Sequence, residues 1–211
     1  VKASRKHLPV ALTGAILASL VYSLASAQGD KQPAPATQPS AEQMAAMMER
    51  AKRYMQPGEH HKTLERLIGE WNTETRLFMG GQATPAEKGT AEIGWLMDGR
   101  WLKTTSKGTM LGQPVEGFSV MGYDNFKMSY VVTSLTSMDT AMIRQEGDMD
   151  PGGKVLLVYG TLDEYTTGEH DKMVKTLWRF DSADRFVMEI HDLPIGEKNT
   201  KVVEVVYTRK Q

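Results

Sequence analysis

From Trp71 to Gln211 the chain offers no segment that could cross over as a helix between parallel strands. Runs rich in Val, Thr, Tyr, Phe and Trp recur instead, each closed by turn residues. Asp98-Gly99, Asp150-Pro151-Gly152-Gly153 and Thr167-Gly168 are hairpin signals, and Tyr123-Asp124-Asn125 and Asp181-Ser182-Ala183-Asp184 serve the same purpose. The pattern predicts ten strands, at 71–79, 88–97, 100–110, 115–123, 127–136, 140–149, 154–162, 172–181, 185–192 and 200–209. Strands joined by tight turns pair antiparallel, because parallel pairing needs a long crossover. Ten such strands must close on themselves or split into two sheets, since open edges invite aggregation. The expected fold is therefore mainly β: an antiparallel up-and-down barrel of about ten strands, with a β-sandwich as the competing solution. An N-terminal helix before the first strand is expected to cap one open end.

The segments before Trp71 read differently. Residues 1–7 carry Lys2, Arg5 and Lys6 and no acid, Leu8 to Leu24 is largely apolar, and Ala25-Ser26-Ala27 follows. Basic, apolar and small-x-small regions in that order predict a cleaved secretory signal over 1–27. A retained anchor is the alternative, but Pro9, Thr13, Gly14, Ser19 and Ser23 dilute a run that would have to span a bilayer. Val1 in place of Met reads as an alternative start codon and points to a bacterial source. Residues 28–40, with three prolines, form a disordered linker. Ser40 then looks like an N-cap for an amphipathic helix over 41–56, with Met44, Met47, Met48 and Met55 at 3–4 spacing, stopped by Pro57-Gly58. A second, shorter helix is expected over 59–68, and the barrel domain over 57–211.

Composition narrows the function classes. The chain has no cysteine, which excludes disulfides, thiolate metal sites, thiol nucleophiles and a lipid-modified cysteine anchor. Removing residues 1–27 takes away three basic residues and no acid, so the net charge moves from −1 to −4 over the remaining 184 residues. A mildly acidic exported protein has no field to draw it to nucleic acid or anionic lipid. The expected location is the periplasm or the medium, with no stable membrane anchor after cleavage.

Pro57-Gly58-Glu59-His60-His61, followed by Leu64, Leu67, Gly69 and Trp71, resembles the opening of the bacterial domain-of-unknown-function family numbered 1579. Further matches run in order: Lys88-Gly89-Thr90-Ala91-Glu92, Gly99-Arg100, Gly112-Gln113-Pro114, Glu116-Gly117, Gly122-Tyr123-Asp124 and Tyr207-Thr208-Arg209. The resemblance covers residues 57–211 and implies a calycin-like barrel without an established activity. Gly69-Glu70-Trp71 is also similar to the Gly-x-Trp that begins the first strand in lipocalins and in nitrobindin-like haem barrels. Glycine lets the chain turn from helix to strand at positive φ. The indole then plugs the barrel floor, and Arg209 from the last strand is the candidate to lie over it. Gly69, Trp71, Arg209 and His60 are thus read as barrel-closing residues.

Several side chains invite chemistry. His61 and Glu65 have the i, i+4 spacing of two metal ligands, but no third ligand is evident and no H-E-x-x-H pattern occurs. Of the two histidines, His60 reads as the more firmly positioned. His191 falls where haem barrels carry an axial ligand. Its face of the strand, Val187/Glu189/His191, looks solvent-exposed if Phe186/Met188/Ile190 line the core. The Met-rich helix could hold Cu(I) through thioethers, or could be an apolar face for a protein partner. Glu116, Glu146, Glu189 or Glu204 could pair for acid–base work if they faced inward, and Arg144 or Arg179 would then need an anionic ligand. No nucleophile elbow or phosphate loop is present. No metal, cofactor or catalytic residue is assigned.

A ten-stranded barrel is wide enough to hold a small molecule. Trp95, Trp101, Tyr123, Tyr130 and Trp178 are the expected ligand-binding wall residues, with Phe118 as a further candidate. Alternation points Ile93, Trp95 and Met97 inward, together with Thr75 and Leu77. The function expected is non-enzymatic binding of a small, partly apolar ligand. A barrel enzyme using interior carboxylates or His60 is the alternative, and an interaction protein with a filled barrel is a further one.

Overall fold

The computed structural model describes residues 38–165, 167–193 and 200–211. The segment read as an export signal and most of the linker lie outside them. The chain forms two units, Val1–Gln43 and Met44–Gln211. At the end of the first, Ser40 Oγ accepts the Gln43 N–H at 3.2 Å while Gln43 Oε1 accepts the Ser40 N–H at 2.9 Å. This reciprocal pair satisfies two donors that a helix start leaves orphaned.

Helix α1 spans Ala41–Met55 and buries none of its side chains. Its last carbonyls are held by other parts of the chain: Asn125 Nδ2 donates to Gln56 at 2.8 Å, and Arg100 donates to Met55 at 3.2 Å. Capping is the work of the short segment that follows, α2 (Glu59–Thr63) and a 3₁₀ turn at Leu64–Leu67. His61, Leu64 and Leu67 of this segment are buried, and the two leucines join the barrel core.

Eleven strands follow: β1 (Gly69–Met79), β2 (Gln82–Ala83), β3 (Glu87–Leu96), β4 (Trp101–Met110), β5 (Gln113–Asp124), β6 (Ser129–Thr136), β7 (Ile143–Met149), β8 (Val155–Glu164), β9 (Glu169–Ser182), β10 (Arg185–Asp192) and β11 (Thr200–Arg209). Each of the ten long strands overlaps one of the ten expected from sequence. The two-residue β2 pairs only with the end of β1. The ten long strands pair antiparallel in chain order, and β1 pairs with β11 from Trp71↔Arg209 to Leu77↔Val203. That last ladder closes a ten-stranded barrel and decides against the sandwich. Closure leaves no long open edge to aggregate.

The inward row along β1 is Trp71, Thr73, Thr75 and Leu77, since Trp71 and Thr73 are buried and side chains alternate. On β3 the row runs through Ala91, Ile93 and Trp95 but stops there. Met97 does not continue it: Met97, Asp98 and Gly99 all take positive φ, and Met97 is exposed in the turn. The strand ends at Leu96, one residue before the expected limit, so alternation no longer governs Met97. Among the described residues no helix is long and apolar enough to cross a membrane.

Candidate functional site

The capped end is closed by Trp71, which is fully buried and donates its indole N–H to the Leu67 carbonyl at 2.9 Å. Its ring meets Phe186 edge-on at 4.7 Å. Arg209 lies over the indole, with Cζ 4.2 Å from the ring centroid. The same guanidinium donates to the carbonyls of Ile68 (2.8 Å), Arg66 (3.2 Å) and Ala183 (2.9 Å). Gly69 makes room for it: φ is +138°, and a Cβ there would fall 2.4 Å from Arg209 Nη1.

Beside this plug sits an aromatic lid. His60 is exposed on one face and stacks on Tyr123 at 4.0 Å on the other, while the Tyr130 hydroxyl donates to the His60 carbonyl at 3.3 Å. His61, not His60, is the buried member of the pair, and its Nδ1 accepts the Gly58 N–H at 3.1 Å. Alpha-helical geometry ends at Thr63, so the i, i+4 spacing of His61 and Glu65 does not bring two ligands to one face. Among the described residues no group of three His, Asp or Glu side chains is placed to hold a metal ion.

Burial is the main force holding the His61 pKa below its ordinary value of 6.5, and the charges of His60 and Arg100 add to it. A hydrogen bond to the Tyr123 backbone acts the other way. The unfolded chain therefore takes up a proton on His61 at a pH where the folded chain does not. The stability from burying the neutral ring is complete above about pH 6.5 and is lost as the pH falls from there toward the lower folded value. Melting temperature should accordingly fall more steeply between about pH 7 and pH 5 in the natural protein than in His61→Gln, which keeps an acceptor but cannot titrate. Equal slopes would show that His61 does not carry this pH dependence.

Beyond the lid, the barrel interior holds a cavity of about 120 Å³. Leu67 from the cap forms part of its wall, and Ile143, Leu162 and Ile190 lie toward the opposite end of the barrel. The rest of the wall is mostly apolar, with Leu102, Met121, Val132, Val174, Trp178 and Phe186 among its residues. Three hydroxyl residues on neighbouring strands, Thr104, Ser119 and Ser134, stand opposite one another in register on the same wall. Gln145 and Thr176 line the same cavity, and Thr176 Oγ1 donates to Gln145 Oε1 at 3.0 Å. Tyr207 stacks on Phe186 at 4.2 Å, and burial pushes its phenol up to about 12.

Of the aromatic residues expected as walls, only Trp178 lines this cavity. Tyr123, Tyr130 and Trp95 pack into the core near the capped end, where the lid occupies the space a ligand would need. Trp101 is on the outer face, lying over Gly122, where a Cβ would come within 2.3 Å of the indole. Phe118 also faces outward and is exposed, because its neighbour Ser119 is the inward residue. The polar wall residues were missed for a plain reason. In β5, Phe118 and Val120 make the outer row as apolar as the inner row of Ser119, Met121 and Tyr123, so alternation does not reveal which face is inside.

The candidate acid–base carboxylates lie outside the barrel. Glu116 pairs with Lys107 at 2.9 Å, and Glu146 pairs with Lys127. Glu189 meets Arg179 at 3.4 Å and Lys201 at 3.5 Å, and Glu204 meets Lys201 at 2.6 Å. Burial works to raise the Glu189 pKa, but the hydrogen bond from His191 and the charges of Lys201 and Arg179 prevail and hold it low. His191 shares this outer face, with Nε2 3.0 Å from Glu189 Oε2, so it does not reach the cavity as an axial ligand would. Nor is that face open to solvent as expected: Val187 is buried and Glu189 only 12% exposed, within the ion-pair cluster. Arg144 and Arg179 point outward too, since Gln145 and Trp178 beside them face in. Met44, Met47, Met48 and Met55 of α1 are all exposed.

Comparison with known proteins supports the fold. The chain is similar to the crystal structure of Rv2717c from M. tuberculosis, with a TM-score of 0.53 at 12% identity, over 74% of this chain and 100% of that one. A structure of EF1p2_mFAP2b bound to DFHBI aligns over 72% of this chain and 100% of its own at 13% identity, with a TM-score of 0.37, too low to carry an argument. No curated protein matches the sequence. The model of the family described as "Protein of unknown function (DUF1579)" matches residues 56–209, from just before the capping segment to the arginine over the indole, and the chain belongs to that family.

Proposed function

We propose that this protein is exported and that its barrel binds a small, partly apolar molecule in the interior. The observation that carries the reading is the cavity itself: about 120 Å³ with mostly apolar walls and a row of hydroxyls. A barrel used only as a scaffold would gain stability by filling such a space, because voids in a core cost packing energy. Cavities of about 150 Å³ lined by apolar side chains accept a single benzene ring, which sets the scale of the ligand. The export part rests on the order of basic, apolar and small residues over 1–27.

Native mass spectrometry on protein recovered from its exporting host tests both parts. The expected spectrum shows a chain beginning at Gln28 and an added mass that disappears on denaturation. Ring-sized apolar probes should in turn raise the melting temperature of ligand-free protein, following mass action. Val132→Phe, which fills the cavity from the wall, should abolish that rise at an overpacking cost of about 1–3 kcal/mol. Failure of every probe to stabilise the protein would remove the binding reading, and a chain that retains residues 1–27 would remove cleavage.

A further inference from the structure

Gln145 is the one polar side chain of the cavity wall that combines deep burial with an unused hydrogen-bonding atom. It is 5% exposed, and its Nε2 has no hydrogen-bond partner among the described residues. Buried polar atoms nearly always find a partner, so an orphaned amide facing a barrel interior calls for an explanation. The side chain is not free to swing away and satisfy itself. Thr176 holds the amide oxygen at 3.0 Å. Gly160, directly across on β8, leaves only enough room for the Gln145 stem, since a Cβ there would sit 2.8 Å from its Cγ. Thr176 itself is 4% exposed, so the clamp is sealed from solvent on both sides.

The rest of the wall restricts what can meet that N–H. Among the described residues, no Lys, Arg, His, Asp or Glu lines the cavity. An ionised ligand would be stripped of water with no counter-charge to replace it. The Tyr207 phenol stays neutral across the physiological range, so it supplies no charge either. The hydroxyls of Thr104, Ser119 and Ser134 add neutral polar groups to the wall on β4, β5 and β6, the last of which pairs with β7.

Building on the binding reading above, we propose that Gln145 is the recognition point of the cavity, and that the ligand is an uncharged, ring-sized molecule whose carbonyl, ester or ether oxygen accepts the Gln145 amide N–H. Thr176 is the positioning residue: by holding Oε1 it presents nitrogen, rather than oxygen, to the ligand.

Matched probes test this by calorimetric titration of ligand-free protein. Acetophenone carries an acceptor on a single ring, isopropylbenzene has nearly the same shape without one, benzoate is its charged counterpart, and phenol offers a donor. The natural protein should bind acetophenone about tenfold or more tightly than isopropylbenzene, the scale of one hydrogen bond to an otherwise unpaired group. Benzoate should bind weakest. Gln145→Leu should bring acetophenone down to the level of isopropylbenzene while leaving isopropylbenzene binding in place. Should that variant not fold, the side-chain amide resonance of Gln145 in the natural protein provides the readout, moving downfield with acetophenone and not with isopropylbenzene.

Equal binding of acetophenone and isopropylbenzene, or a preference that survives Gln145→Leu, would overturn the role of Gln145 while leaving the cavity a binding site. A preference for phenol over acetophenone would overturn it as well, by showing that the amide presents its oxygen. Binding of none of the four would instead remove the reading on which the proposal rests.

Discussion

Trp71→Ala is expected to cost about 3–5 kcal/mol of folding stability, the range for truncating a fully buried large aromatic side chain. The residue has no exposed surface, fills the floor under the cap and joins the first strand to the segment before it through the Leu67 carbonyl. Alanine would leave that carbonyl without its indole partner and Phe186 without its edge-on neighbour. Against a total of about 5–15 kcal/mol for an ordinary domain, such a loss leaves a barely folded barrel. Trp71→Phe keeps the ring but drops the donor, so it should cost less. Denaturant unfolding of the two variants checks the order: the midpoint should fall most for alanine, with the slope unchanged if unfolding stays two-state. A shift below about 1 kcal/mol for Trp71→Ala would show that the floor repacks without it.

The second large effect comes from the opposite side of the same contact. Arg209→Ala should cost about 2–3 kcal/mol, because a partly exposed guanidinium gives up its bonds to three carbonyls together with its cation–π contact. The carbonyls of Arg66 and Ile68 belong to the capping segment before β1 and that of Ala183 to the β9–β10 turn, so the side chain ties the cap to a distant turn. Gly69→Ala should produce a related loss of about 1–3 kcal/mol from an unfavourable φ and from a methyl group in the space of Nη1. The double variant separates the two causes. If the methyl acts by displacing Arg209, Gly69→Ala will cost distinctly less once Arg209 is already alanine. Full additivity would assign the glycine's role to backbone conformation alone.

Reading from sequence worked where a local rule carried enough information. Turn chemistry such as Asp150-Pro151-Gly152-Gly153 and dense β-branched runs located ten strands, and the missing crossover helix made them antiparallel. The reading lost its hold at the walls. Alternation separates two faces of a strand but does not say how far along the barrel axis a residue sits. The sequence points Trp95, Tyr123 and Tyr130 to a ligand wall, whereas the lid built on His60 and His61 takes up that end. Trp101 failed for another reason: Leu102 beside it is the inward residue, and the indole rests outside on a glycine that a single strand's pattern cannot connect to it.

The sequence by itself determined the class of fold and the direction of pairing, because strand runs and turns are short-range properties written in adjacent residues. It also supplied the Gly-x-Trp start, a local signal. Only the tertiary structure decided which face of each strand looks inward, and with it that Glu116, Glu146, Glu189 and Glu204 serve outer ion pairs. It alone set Gln145 against Thr176, 31 positions along the chain, and left the amide nitrogen without a partner among the described residues. The physical reason is closure. The pairing of β1 with β11 joins residues more than 120 positions apart, and only that junction creates an interior for a side chain to face.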